Sequence, residues 1–100
     1  MATTPEAKVK KQIKQILDNH QIYHFSPYMA GMGKSGVPDI IACFKGRFLA
    51  IEAKAGNNKP TALQAREIAN IQKAGGLAAV INENNLDLLE FLINYIKGEE

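Results

Sequence analysis

The stretch DIIACFKGRFLAIEAK, residues 39–54, decides how the rest of the chain folds. Two apolar runs, Asp39 to Phe44 and Arg47 to Lys54, are separated by Lys45-Gly46, a dipeptide suited to a tight two-residue turn. The pattern predicts an antiparallel hairpin. With Lys45 and Gly46 as the turn, Phe44 faces Arg47, Cys43 faces Phe48, and Asp39 faces Glu52. Ile40, Ala42, Phe44, Leu49 and Ile51 then share one face, and Ile41, Cys43, Phe48 and Ala50 share the other. A sheet that is apolar on both faces needs helices on both.

On the N-terminal side, Thr3 or Thr4 caps a first helix, Pro5 suits its first turn, and Glu6 stands three after Thr3 as in a capping box. Val9, Ile13, Ile16 and Leu17 recur at helical spacing, which carries that helix to about Asn19. Ile22 to Phe25 reads as a short strand, and Met29 to Gly36, with Gly31, Gly33 and Gly36, reads as a loop. On the C-terminal side, Gly56 to Pro60 is turn-rich, and Thr61 caps a helix from Ala62 to about Ala74 that stops at Gly75-Gly76. Leu77 to Ile81 is a strand. Asn82 to Asn85 then caps a last helix with Leu89, Leu92, Ile93 and Ile96 on its apolar stripe. The order is αβββαβα, an α/β fold with a mixed sheet of about four strands flanked by helices. It is mixed because strand, helix and strand in succession favour a parallel, right-handed crossover.

One hundred residues, 46% of them hydrophobic, suit a single domain over residues 1–100 with one modest core. A lone cysteine, Cys43, excludes an internal disulfide, and no Cys/His group has zinc-site spacing; the expected setting is reducing and cytoplasmic. No leader-like apolar segment follows the N-terminal lysines, and no apolar run approaches the roughly 18 residues of a membrane span. The net charge is only +2, but residues 1–73 hold eleven Lys/Arg against five Asp/Glu, and residues 74–100 hold one against five. That asymmetry suits an anionic partner. An unevenly charged soluble surface would give the same counts.

The otherwise apolar hairpin face carries Asp39, Glu52 and Lys54. Directly opposed residues have Cβ atoms about 4.5–5.5 Å apart, where two carboxylates repel unless something positive lies between them. A divalent cation is the simplest remedy, and oxygen ligands without Cys or His point to Mg²⁺ or Mn²⁺. Lys54, two residues after Glu52, shares its face and reaches the same cavity. A plain salt bridge between Lys54 and Glu52, with Asp39 capping the loop after Pro38, is the alternative. A three-residue turn would also shift the pairing by one and put the two carboxylates on opposite faces.

Gly36-Val37-Pro38-Asp39, then Ile51-Glu52-Ala53-Lys54, then Gln64 resemble the G-x-P-D … E-x-K … Q signature of the VRR-NUC family, part of the PD-(D/E)xK nuclease superfamily. The resemblance implies a restriction-endonuclease-like fold and a metal-dependent DNA endonuclease. It implies that Asp39, Glu52 and the Ala53 carbonyl bind the metal, that Lys54 serves the attacking water, and that Gln64 looks across at the site. Glu6 is similar only in place to an acidic first-helix residue that completes metal binding in related nucleases; its alternative is a helix cap. Lys8, Lys10, Lys11, Lys14 and Lys34 are candidate phosphate contacts, or simply solvated lysines. Short stand-alone members of that family resemble Holliday-junction resolvases, which implies branched DNA and a homodimer, with Tyr28, Met29, Met32 and Tyr95 as interface candidates. The other readings are a non-selective nuclease or nickase, and a catalytically idle DNA-binding module. His20 and His24 lack ligand spacing and read as structural or surface residues, and Cys43 reads as an inert core residue.

Overall fold

A computed structural model describes residues 3–28 and 35–98. The elements are α1 (Pro5–Asn19), β1 (Tyr23–Phe25), β2 (Ile40–Phe44), β3 (Arg47–Ala53), α2 (Ala62–Lys73), β4 (Leu77–Ile81) and α3 (Leu86–Gly98). They form one mixed sheet in the order β1-β2-β3-β4, with β1 and β2 antiparallel, β2 and β3 antiparallel, and β3 and β4 parallel. This is the α/β arrangement that the sequence predicts.

The register is set at the hairpin turn. Lys45 and Gly46 both take positive φ, 53° and 78°, as a two-residue type I′ turn requires. Phe44 therefore faces Arg47, Cys43 faces Phe48, and the ladder runs back to Ile40 opposite Ile51. A longer turn, with its one-residue slip, is excluded.

Alternation then sorts the side chains. Ile40, Ala42, Leu49 and Ile51 are buried together with Ala53, Ala79 and Ile81. Val9, Ile13 and Leu17 of α1 and Leu89 and Ile93 of α3 join them in the same cluster. α2 packs on the opposite face, against β4 and β3, where Ile71 closes on Gly76 and Phe48. That opposite face is incompletely covered, contrary to the expectation of helices over both. Cys43 is exposed rather than buried in the core, as are Tyr23, Phe25 and Phe48, because α2 lies over the β3–β4 half of the sheet.

The helix starts show their capping residues. Thr4, not Thr3, is the N-cap of α1 and accepts a hydrogen bond from the Ala7 N–H. The Thr3–Glu6 capping box is therefore not formed. α2 has a complete one: Thr61 Oγ1 accepts from the Gln64 N–H, and Gln64 Oε1 accepts from the Thr61 N–H. Among the described residues no helix is long and apolar enough to cross a membrane.

Candidate active site

Asp39 sits one residue before β2, and the ladder extrapolates to Glu52 as its opposite number. In place of a backbone pair, its side chain closes the end of the sheet: Oδ2 accepts the Ala53 N–H at 2.9 Å. Oδ1 lies 3.5 Å from Lys10 Nζ of α1.

The segment leading to Asp39 is held by a close approach to α2. Gly36 has φ 81°, and a Cβ there would come within 2.5 Å of the Leu63 carbonyl oxygen and 3.0 Å of the Gln64 nitrogen. No L side chain fits in that space or readily adopts that backbone conformation. Pro38, buried two residues later, directs the chain into β2. The glycine of G-V-P-D thus brings the Asp39 segment against the first turn of α2, which carries Gln64.

Glu52 is 1% exposed, and neither of its carboxylate oxygens accepts a hydrogen bond among the described residues. Lys54 Nζ lies 3.6 Å from Oε2, with only 12% of its side chain exposed. This is the ion pair of the plainer alternative, but among the described residues one ammonium at that range leaves both buried Glu52 oxygens without a hydrogen bond, while Lys10 answers the neighbouring Asp39 charge. Burial first, then the Asp39 charge and more weakly that of Glu6, push the Glu52 carboxyl up to about 7, against the opposing effect of Lys54. Lys54 follows β3 directly, its N–H donating to the Ile81 carbonyl at 3.0 Å. The following loop is pinned as well, since the Gly56 N–H donates to the Glu83 carboxylate at 3.0 Å.

Asp39, Glu52, Lys54 and Ala53 therefore meet at one end of the hairpin, and Lys10 joins them through Asp39. Glu6, half-buried in the first turn of α1, is close enough for its charge to act on Glu52. It does not close a three-carboxylate group with Asp39 and Glu52, since among the described residues no cluster of three His, Cys, Asp or Glu side chains forms a ready metal site. Gln64 lies on the inner side of α2, with its Oε1 engaged by Thr61. Lys10, Lys11 and Lys14 line one open groove of about 380 Å³ along α1, and Lys8 is exposed outside it. Lys34, Met29 and Met32 lie outside the described residues.

Glu67 escaped the reading of the sequence. It is 6% exposed and stands one turn after Gln64, with Arg66 Nη2 at 3.9 Å from its Oε2. The signal was available: Gln64, Glu67, Ile68 and Ile71 fall at the spacing of one helix face, so two polar side chains interrupt an inward stripe.

The solved structure of a protein named "VRR_NUC domain protein" superposes on this chain with a TM-score of 0.72, covering 97% of this chain and 92% of that one at 22% sequence identity. The chain has the VRR_NUC fold. No family model matches the sequence, and no curated protein matches it significantly. The G-V-P-D, E-A-K and Gln64 positions lie at the entry to β2, at the end of β3 and in the first turn of α2.

Proposed function

We propose that the chain is a metal-dependent DNA endonuclease whose working residues are Asp39, Glu52 and Lys54, with Gln64 in support. The observation that carries this reading is the buried Glu52 carboxylate, its oxygens without hydrogen-bond donors among the described residues, beside Asp39 and within reach of Lys54. A buried carboxylate in that state is costly. DNA binding alone gives no reason to collect acids where phosphate must approach.

The donor set fits a hard divalent cation. Two carboxylates and the Ala53 carbonyl offer oxygen only, the set that suits Mg²⁺ or Mn²⁺ when water and substrate phosphate complete the shell. When bound there, the cation would supply Lewis acidity toward the phosphodiester and ease deprotonation of water. Glu52 and Asp39 would hold it, and the Ala53 N–H keeps Asp39 turned toward the site. Lys54 offers three N–H donors to a nonbridging phosphate oxygen, or positions the attacking water by hydrogen bonding. Lys10 neutralises part of the Asp39 charge and leads into the α1 groove, where Lys11 and Lys14 would neutralise further phosphates; Lys8 is exposed outside it, and Lys34 is a further phosphate contact proposed from the sequence alone.

A chain carrying one such site cuts one strand. Paired incisions on a branched substrate need two copies, and a two-fold homodimer matches the approximate symmetry of a four-way junction. The deciding experiment incubates the protein with four-way junction, flap, single-stranded and linear duplex DNA in Mg²⁺, Mn²⁺ and EDTA, beside sedimentation at the same concentration. Cleavage in either metal and none in EDTA is the expected result, with the junction cut fastest by a dimer. No cleavage of any substrate sinks the nuclease reading and leaves an idle DNA-binding module, whereas equal rates on all substrates leave a non-selective nuclease.

A further inference from the structure

The two oxygens of Asp39 face different partners. Oδ2 accepts the Ala53 N–H at 2.9 Å and is fixed by the backbone, whereas Oδ1 faces Lys10 Nζ at 3.5 Å. The oxygen left for a cation is therefore the one that already has an ammonium against it. That hold is loose. A tight bond between ammonium and carboxylate closes to about 2.7–2.9 Å, and Lys10 keeps 37% of its side chain exposed, against 20% for Asp39. Its charge ends a flexible four-carbon stem, so it can leave Asp39 without moving α1.

The other surroundings of Lys10 decide where it goes. With Lys11 and Lys14 it lines the groove along α1, and Lys14 follows it by one turn on the same helix face. Asp18, the acid among the lining residues, is paired with His24 at 2.7 Å. A released Lys10 thus meets like charge and open solvent. An anion in the groove relieves that repulsion, and a DNA phosphate is the anion that a nuclease site must receive. A divalent cation and an ammonium on one carboxylate oxygen repel each other, so the two are alternatives at Oδ1.

We propose that Lys10 is an exchangeable counter-ion that couples metal binding to DNA binding: it neutralises Asp39 when no divalent cation is bound there, and moves to a DNA phosphate in the α1 groove when one is. The proposal rests on the reading of the chain as a metal-dependent nuclease and gives that site an order, in which DNA is held more tightly once Asp39 has a cation. One ammonium then serves two anions in turn, the carboxylate first and the phosphate second.

Two measurements, neither of which needs cleavage, test it. Calorimetric titration with Mn²⁺ should show about fivefold tighter binding to Lys10→Ala than to wild type, since the competing ammonium is gone. Lys10→Met, which keeps the apolar stem on α1, should match it and so separates lost charge from lost packing. In EDTA, anisotropy of a fluorescein-labelled duplex compares wild type, Lys10→Ala, Asp39→Asn, and Asp39→Asn with Lys10→Ala. Lys10→Ala should change the affinity of wild type less than twofold, because Asp39 holds the lysine. The same change should lower the affinity of Asp39→Asn about fivefold, because there the lysine is released to phosphate. Equal losses in the two backgrounds, or none in either, overturn the exchange. Mn²⁺ binding by Lys10→Ala that is unchanged overturns it as well, and so does weaker binding, which would mean that Lys10 holds Asp39 in place for the cation. All of these outcomes leave the nuclease reading standing. A wild type that binds no Mn²⁺ loses the metal-dependent reading and the exchange together.

Discussion

Where the end of α1 meets α3, His20 Nε2 lies 2.7 Å from Glu90 Oε1, and Lys97 Nζ donates to His20 Nδ1 at 3.1 Å. At the open end of the hairpin, Lys54 Nζ lies 3.6 Å from Glu52 Oε2, and Asp39 is close enough for its charge to act on Glu52. The first cluster is partly exposed, and each ring nitrogen has a partner. In the second, the central carboxylate is buried, among the described residues without a donor to its oxygens, beside like charge. The difference separates charge that helps to join two helices from charge that is costly unless something else binds. A cluster of the first kind persists because its groups satisfy one another; one of the second kind needs a ligand or a reaction to explain it.

The sharpest way to break this comparison is to neutralise the second cluster. Asp39→Asn or Glu52→Gln should lower cleavage by at least about a thousandfold and weaken divalent-metal binding measured calorimetrically, while leaving the fold intact. Because either change removes repulsion, the metal-free variant should be no less stable than metal-free wild type. Retained activity in either purified variant would end the assignment of these carboxylates.

Lys54→Ala should come next in effect, with a rate loss on the order of a hundredfold or more and metal affinity kept within a few-fold. Gln64→Ala should be milder. Wild-type cleavage by Lys54→Ala would return that lysine to a plain salt bridge with Glu52.

The third prediction concerns pH. The Glu52 carboxyl is raised in the folded protein to about 7 from an ordinary 4.5. Protonated Glu52 is therefore favoured by folding, and its contribution is fully present below about pH 4.5 and lost as pH rises through about 7. The full loss is on the order of 3 kcal/mol. Urea unfolding in EDTA at pH 5.5 and pH 8.5 should show Glu52→Gln gaining stability over wild type as pH rises, and Mg²⁺ or Mn²⁺ should erase the gap. A difference independent of pH would mean that Glu52 is satisfied as it stands.

Smaller effects test the flanks. Lys10→Ala with Lys14→Ala should reduce the slope of log binding constant against log salt by about one to two, because fewer counterions are released. An unchanged slope would leave the α1 groove a solvated helix face. Substitution in the first cluster, His20→Ala or Glu90→Ala, should cost no more than about 1 kcal/mol and leave cleavage within twofold. A large loss of activity there would erase the contrast between the clusters.

Much of the architecture was legible because it depends on short spacings. Lys45-Gly46 between two apolar runs fixed the turn, the turn fixed the register, and the register brought Asp39 level with Glu52. Thr61 marked the start of α2 and Gly75-Gly76 its end, and the structure added Gln64 as the second half of the capping box. The G-V-P-D, E-A-K and Gln64 positions were singled out by their resemblance to a family signature rather than by element type.

Burial was not legible, since it depends on which element covers which part of the sheet. Cys43 alternates like a core residue but is exposed, because α2 leaves the β1–β2 half of its face open. Thr3 and Glu6 match a capping box, yet Thr4 is the N-cap, and Glu6 acts instead on a carboxylate 46 residues away in sequence. Glu67 looks like a surface acid of a polar helix until α2 packs and buries it. The sequence by itself determined the elements and, for a two-residue turn at Lys45-Gly46, named Asp39 and Glu52 as the opposed carboxylates, because these follow from local spacing; the turn geometry of the folded chain settled that register. Only the tertiary structure decided that Glu52 is sealed from water, that Lys10 reaches Asp39, and that Tyr23, Phe25 and Phe48 stay exposed, because solvent exclusion is a property of packed layers.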